Sequence, residues 1–591
     1  MSIDEIRGTG TDRSTVTAAE AMVAQLESYG VEYVFGTCGH TNIALLDAIG
    51  RSSIRFVIAR HEQAAAHAAD GYARASGRTG VVLLHVGPGL TNAVTGVLTA
   101  ALDSVPLVAI AGDVPSYYRG RHPHQEVNLH ADADQAAIYR PFVKRAWQVH
   151  RVADLPRFTE RAFWTAAAGR PGAVLLSVPM DHFSRPVPRD PAGAYPLAVL
   201  ERPALAADVA ARMAELLLHA ERPLVYLGGG LRRGPGLDAL RSLVEHLDIP
   251  VVHSLMAKGT LPDDHPLLLG MPGFWGLELT NRHTREADVV LALATRFAET
   301  DASSWDRRYT WQFPPGKLLQ IDLDPAEIGR NFPVTVGAVA DAGRAVQAID
   351  DAVRARQPAA RRREGLRDSI TAARRSLFAD SRGRGAGDKF PLRPERILAD
   401  LRSLLPGDAV LVTDVGWNKN GVAQCYELPA EGRFITPGGA STMGFGPAAA
   451  VGVQIAQPNR TVVALVGDGG MSAQLPALPM AVEQGAPVIF VVMNNRSHGT
   501  ISDLQTANFG QSYGCDFTGP DGAPYSPDFA ALGRACGADG YTVSGAGDFG
   551  AALRAALAAR RPAVIDVPMV NEPVPTPGHW NIKDIYQGVF E

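Results

Sequence analysis

Several features are scarce in this chain of 591 residues. Cysteine occurs four times, at Cys38, Cys425, Cys515 and Cys536, never in a CxxC pair. Neither a disulfide framework nor a cysteine-held zinc site is indicated, and a reducing cytoplasm is the expected setting. No apolar stretch reaches the ~20 residues a membrane span needs. The opening residues, MSIDEIRGTGTDRSTV, are polar and lack the apolar core of a signal peptide. Basic blocks are missing and the formal net charge is −5, so neither nucleic acid nor a membrane surface is an expected partner. No short-period repeat is present.

What is there is ordinary for a soluble globular protein: 46% hydrophobic and 20% charged residues. The length is too great for one core, and roughly three or four domains are expected. Short apolar runs such as VEYVFG (31–36), GVVLLHV (80–86), PLVAIAG (106–112) and AVLLSVP (173–179) suit strands buried on both faces. Ala-rich stretches of helical spacing lie between them. The pattern restarts at PLVYLGGG (223–230) and again at AVLVTDVG (409–416). The fold class is therefore α/β, with three doubly wound parallel-sheet domains. The expected boundaries are 14–190, 200–355 and 391–570. A charged helix and linker fill 356–390, and a tail of unassigned role runs from 571 to 591.

In open parallel sheets, ligands gather beyond the carboxyl ends of strands. Two apolar runs end there in polar signatures: VGDGG at 466–470 and NN at 494–495. Gly467, Gly469 and Gly470 let backbone N–H groups approach an anion. A hard divalent cation wants oxygen ligands and commonly bridges to phosphate. Asp468, Asn495 and a nearby carbonyl, Ser497, would supply three, and diphosphate oxygens and water the rest. Taken alone, the first signature also suits a surface turn and the second a helix cap.

The pair, with Asn495 placed 27 residues after Asp468, resembles the signature of the thiamine diphosphate enzymes, a superfamily that includes acetolactate synthase and pyruvate decarboxylase. The segment RHEQAAAHAADGYARASG (60–77) resembles the part carrying that family's essential carboxyl group, and GPGLTN (87–92) matches as well. The resemblance implies thiamine diphosphate with Mg²⁺. It makes Glu62 the catalytic acid that protonates the pyrimidine ring and so promotes formation of the C2 ylid. It places Met443, in STMGFGPAAAVG, under the bent cofactor, and Gly416, Trp417 and Asn418, in TDVGWNKNG, near the diphosphate. It also implies that the acid and the metal site meet across a dimer interface, in a homodimer at minimum and a homotetramer by expectation. In the middle unit GGG (228–230), TRF (295–297) and IDLDPAEIG (321–329) resemble the FAD-binding members. Gly228, Gly229, Arg296 and Asp322 are the candidate contacts; ADP or an empty domain are the alternatives.

The reaction is less fixed. His40 in FGTCGHTN and His85 in LLHVGPG stand at positions that face substrate in relatives, and Gln125 matches a substrate-side glutamine. Two imidazoles near a carbanion-forming centre would give and take protons near neutrality. GHT at 39–41, His85 and NFGQ at 508–511 resemble cyclohexane-1,2-dione hydrolase; SHGTISDLQ (497–505) is similar to the trihydroxycyclohexanedione hydrolases. The first expectation is thus hydrolytic ring opening of a cyclic 1,2-dione. A position that carries a second histidine in the dione hydrolase is Ile43 here. The alternative is a decarboxylating carboligase of the acetolactate synthase type, acting on a small 2-oxo acid.

Overall fold

A computed structural model describes residues 15–127, 134–189, 195–231 and 236–572. The opening residues and nearly all of the tail expected at 571–591 lie outside the described residues. Three six-stranded sheets dominate, each wholly parallel. In space the first runs Arg55–Ile58, Tyr33–Gly36, Gly80–Leu84, Leu107–Asp113, Ala173–Pro179, Arg145–Gln148. The third runs Arg433–Ile435, Val410–Thr413, Val462–Gly467, Ile489–Asn494, Ala563–Pro568, Asp539–Thr542. Numbered by appearance in each sheet, both orders are 2-1-3-4-6-5. The middle sheet differs: Leu268–Gly270, Val251–His253, Pro223–Leu227, Val289–Leu293, Lys317–Asp322, Val336–Val339, an order of 3-2-1-4-5-6. A small antiparallel pair, Thr15–Thr17 with Pro186–Pro188, closes the first unit.

In each sheet the order reverses between its first and fourth or first and third strands. Loops leaving those strands diverge and open the crevice in which α/β proteins bind ligands. Central strands such as Gly80–Leu84 and Ile489–Asn494 are buried on both faces along their whole length.

The outer units share one apolar core. Its bridge is the pair of helices Glu62–Ser76 and Phe445–Ala456. A Cβ at Gly71 would lie 2.2 Å from the Ala449 carbonyl oxygen, and one at Gly452 1.8 Å from that of Ala68. Only glycine permits such an approach of two helix backbones. The contact is locked by Arg74, which is buried and paired with Asp70 and, at 2.8 Å, with Asp103. Asp103 in turn accepts the Gly438 and Gly439 N–H groups at 2.9 and 2.6 Å. The linker region carries the helix Leu366–Arg384, whose Arg374 donates to the Asp263 carbonyl of the middle unit at 2.8 Å. Among the described residues no helix is long and apolar enough to cross a membrane.

Candidate active site

The strand Val462–Gly467 ends at a short helix, Asp468–Ala473, so Asp468 sits at its start. Burial pushes its carboxyl up to about 6 against the opposing pull of backbone N–H groups at Gly469, Arg496 and Ser497. Its Oδ2 is buried with no hydrogen-bond partner. The neighbouring strand ends at Asn494, and Arg496 then adopts a positive φ of 57°, which turns Asn495 and Ser497 toward the same point. Asn495 Nδ2 donates to Asn571 Oδ1 at 3.0 Å. In that orientation Asn495 Oδ1 lies 3.0 Å from the Ser497 carbonyl oxygen and 3.2 Å from Asp468 Oδ1. Three oxygens face one another with an unpartnered carboxylate oxygen beside them. Such a group suits a hard divalent cation, which neutralises the repulsion. The Ser497 hydroxyl faces the Cys515 carbonyl instead, so the carbonyl is what it offers here.

The glycines divide by role. A Cβ at Gly470 would meet Asp414 Oδ2 at 1.8 Å and one at Gly469 the His498 ring at 2.8 Å, while Gly467 borders open space. Met443 precedes the helix Phe445–Ala456 and its methyl would lie 3.5 Å from a Cβ at Gly469. Gly416, with φ of 100°, caps the helix Trp417–Cys425. The side chains after it are engaged in structure. Asn418 Nδ2 donates to the Leu465 carbonyl at 3.2 Å, and the Trp417 ring covers Gly421 at the edge of the core. The loop that was expected near a diphosphate thus presents the start of a helix, where Asn418 Oδ1 accepts the Lys419 N–H at 3.1 Å.

In the first unit Glu62 opens the helix Glu62–Ser76, after His61 as its cap. Both carboxylate oxygens are held: Oε1 accepts from Thr37 Oγ1 at 2.9 Å and Oε2 from Asn92 Nδ2 at 3.0 Å. Gly89 brings the backbone close, since a Cβ there would lie 3.3 Å from Glu62 Oε1 and 2.9 Å from His85 Cβ. The two switch-point loops are tied by the buried Asn42 amide, which donates to the Thr37 and Leu84 carbonyls.

The structure brings His40, His85 and Gln125 together. The His40 and His85 rings meet edge to face, 4.7 Å between centroids, and His124 stacks on His40 at 6.1 Å. Burial, and then the neighbouring His85 and His124, push His40 below its ordinary value, so it is neutral near pH 7. His85 lies between Thr41 Oγ1 (2.8 Å at Nδ1) and Gln125 Oε1 (2.7 Å at Nε2). Gln125 Oε1 can only accept, so Nε2 carries the ring proton and Nδ1 accepts from the Thr41 hydroxyl, which itself accepts the Val86 N–H. This tautomer follows from the network.

A crevice of about 1070 Å³ runs beside the middle sheet's switch point. Gly228, Gly229, Arg296 and Asp322 all line it, with Arg74 and Asp103 of the first unit. A Cβ at Gly228 would meet the Ala294 carbonyl at 1.8 Å and one at Gly229 the Met256 Cβ at 2.9 Å, which keeps its floor bare backbone. Burial lowers Arg296 and raises Asp322 from their ordinary values.

Residues 16–137 match the N-terminal TPP binding domain of thiamine pyrophosphate enzymes, 210–349 their central domain and 414–567 their C-terminal TPP binding domain. The chain is 32% identical over 564 residues to a probable acetolactate synthase large subunit of Methanocaldococcus jannaschii, covering 93% of this chain and 91% of that one. It is 34% identical over 562 residues to the acetolactate synthase large subunit of Parasynechococcus marenigrum (94% and 87%). With acetolactate synthase isozyme 3 large subunit of Escherichia coli it shares 33% over 548 residues (90% and 90%). The chain belongs to the thiamine pyrophosphate enzyme family.

Within that family frame, sequence reasoning missed Thr37, Asn92 and Thr41, which hold Glu62 and His85. Thr37 and Thr41 lie in FGTCGHTN and Asn92 ends GPGLTN, but those stretches do not say which of their residues reach the acid or the imidazole. His124 did carry a signal, as the second histidine beside Gln125 in RHPHQEV.

Proposed function

We propose that the protein is a thiamine diphosphate-dependent carboligase of the acetolactate synthase type, which removes CO₂ from a small 2-oxo acid and joins the acyl unit to a second carbonyl compound. The observation that carries this is the match to synthases through all three units at 32–34% identity. Ring-opening hydrolysis, the first expectation from sequence, becomes the second reading, since the relatives named are synthases. It retains one specific support: the close packing of His40 and His85, with His124 behind.

Bound thiamine diphosphate supplies a nucleophilic carbon that adds to a carbonyl and accommodates the electrons left by C–C cleavage. Glu62, fixed at both oxygens, would share its proton with the pyrimidine ring. Asp468, Asn495 and the Ser497 carbonyl would hold Mg²⁺; Gly467 and the helix start after Gly416 would receive the diphosphate, and Met443 would support the cofactor. His40, neutral and half stacked, would take or give the proton on the substrate side, and Gln125, whose Oε1 is occupied by His85, would present its amide N–H₂ to substrate oxygen. FAD would occupy the crevice of the middle unit. There Gly228 and Gly229 would admit it and Arg296 and Asp322 would be its charged contacts, in a structural role.

Product analysis tests the reaction: purified protein with Mg²⁺ and thiamine diphosphate is offered pyruvate and cyclohexane-1,2-dione in parallel. CO₂ and an acyloin from pyruvate are expected. An open-chain oxo acid from the dione, without CO₂, would establish the second reading instead. Heat release of a yellow chromophore tests FAD; release of ADP, or of nothing, would refute it.

The acid and the metal site are read as coming from two protomers of a homodimer or homotetramer. Exposed Ile501, Phe509 and Tyr513, after the Asn494–Asn495 pair, support a partner surface. Mixing inactive Glu62→Gln and Asp468→Ala proteins decides it. Shared sites regenerate one intact centre per mixed dimer, so activity returns; sites within one chain leave the mixture inactive.

A further inference from the structure

The Asn495 amide has two orientations, and they differ in what the site can hold. One points Oδ1 at Asp468 Oδ1 and the Ser497 carbonyl, gathering three oxygens. The other turns Nδ2 toward both and fills the gap with N–H bonds of 3.2 and 3.0 Å. The second would satisfy the protein alone and leave no seat for a cation.

The choice is made two residues away from the oxygens. Segment 515–517 pairs antiparallel with 496–498: His498 N donates to the Cys515 carbonyl at 2.9 Å and Phe517 N to that of Arg496 at 2.8 Å. This register sets Asp516 beside the loop. Its carboxylate only accepts, taking Ser502 and Asn571 at Oδ1 (3.1 and 3.2 Å) and Ser512 at Oδ2 (2.7 Å). Asn571 must therefore turn its Nδ2 to Asp516, which leaves its Oδ1 facing Asn495. Asn495 must then present Nδ2 to Asn571 at 3.0 Å and Oδ1 to the gap. Turning Asn495 over would set oxygen against oxygen at Asn571, and turning Asn571 to follow would set oxygen against Asp516. Gly499 makes the meeting of amides possible, since a Cβ there would lie 2.3 Å from Asn495 Nδ2 and 3.5 Å from Asn571 Oδ1.

We propose that Asp516 and Asn571 are positioning residues that fix the polarity of the Asn495 amide and so commit three oxygens to a divalent cation. This rests on reading Asp468, Asn495 and Ser497 as the cation site. Partners that orient metal ligands typically control affinity by 10–100-fold. Asn571 is exposed, so its replacement leaves the fold intact.

The test is Mg²⁺ affinity of the full chain, read by calorimetric titration of Mg²⁺ with thiamine diphosphate present, alongside the thermal midpoint of the cofactor-free protein. Asn571→Leu should weaken Mg²⁺ by about 10–100-fold with the midpoint unchanged. Asp516→Asn can offer N–H₂ to Asn571 and let that amide turn, and should weaken Mg²⁺ as well. Adding Asn571→Asp holds an acceptor toward Asn495 and takes the donor of position 516, and should recover most of the affinity. Unchanged Mg²⁺ affinity in Asn571→Leu overturns the proposal, as does a folded double variant that recovers nothing. Asp468→Ala is the companion measurement: if it binds Mg²⁺ and cofactor normally, the cation reading itself fails.

Discussion

In the first and third units the same strand order, 2-1-3-4-6-5, brings two loops face to face beside the sheet's first and third strands. In the first unit those loops carry Thr37, His40, Thr41 and His85, with Glu62 just behind. In the third they carry Gly416 and Asp468, with Asn495 on the next strand. One crevice is lined with imidazoles and a carboxyl group held by neutral donors; the other with bare backbone and converging oxygens. On the proposed reading, the shared topology sets where chemistry happens, and loop residues divide the labour into proton handling and charge binding. The middle unit, with a different strand order, again opens its crevice at its own switch point, around Gly228 and Arg296.

That division can be broken at its largest contrast first. Asp468→Ala should abolish Mg²⁺-dependent cofactor binding and with it all turnover, seen as a flat calorimetric titration; retained binding would move the diphosphate elsewhere. Glu62→Gln should instead keep the cofactor and lower kcat by ~10²–10⁴-fold, the usual scale of acid–base contributions. A near-normal kcat there would remove Glu62 from the chemistry. Next comes the joint between the units. Asp103→Ala leaves Arg74 buried beside Asp70 alone and takes two N–H groups' acceptor away, which should cost about 3–5 kcal/mol in urea unfolding. His40→Ala should alter the product ratio while thiamine diphosphate affinity stays as it was; an unchanged ratio would make the ring structural. The smallest effect lies in the middle unit. Burial pushes Asp301 up to about 6 from an ordinary 3.8. As pH rises between those values the unfolded chain releases this proton and the folded one keeps it, so stability falls. Asp301→Asn lacks that slope, and its stability advantage in the cofactor-free protein should grow across that range. A constant difference would refute it.

Most strands readable in advance are buried on both faces, although the edge strand Arg55–Ile58, with only Val57 buried, was also readable from its apolar run. Five that went unread, Arg145–Gln148, Leu268–Gly270, Val336–Val339, Arg433–Ile435 and Asp539–Thr542, are all sheet edges. An edge strand has one neighbour and needs no continuous apolar run, so RAWQ or DGYT looks like loop. The site was readable where polar signatures end two apolar runs, as at Asp468 and Asn495, which the structure brings together. It was not where a partner arrives from elsewhere: Asn92 reaches Glu62 from 30 residues on, and Asn571 reaches Asn495 from 76.

The helix crossing at Gly71 and Gly452 has a consequence for how such an enzyme can be retargeted. Two backbones in contact cannot slide when a neighbouring side chain changes, because there is no side chain between them to repack. The crossing thus holds the first and third units of one protomer as a single body, with Glu62 at one helix start and Met443 just before the other. The loops around His40, His85 and Gln125 hang from strands outside that crossing. On the proposed reading those loops face substrate, and they can change while the two units stay where they are. An engineer seeking a new carbonyl partner should redraw those loops and leave the crossing untouched.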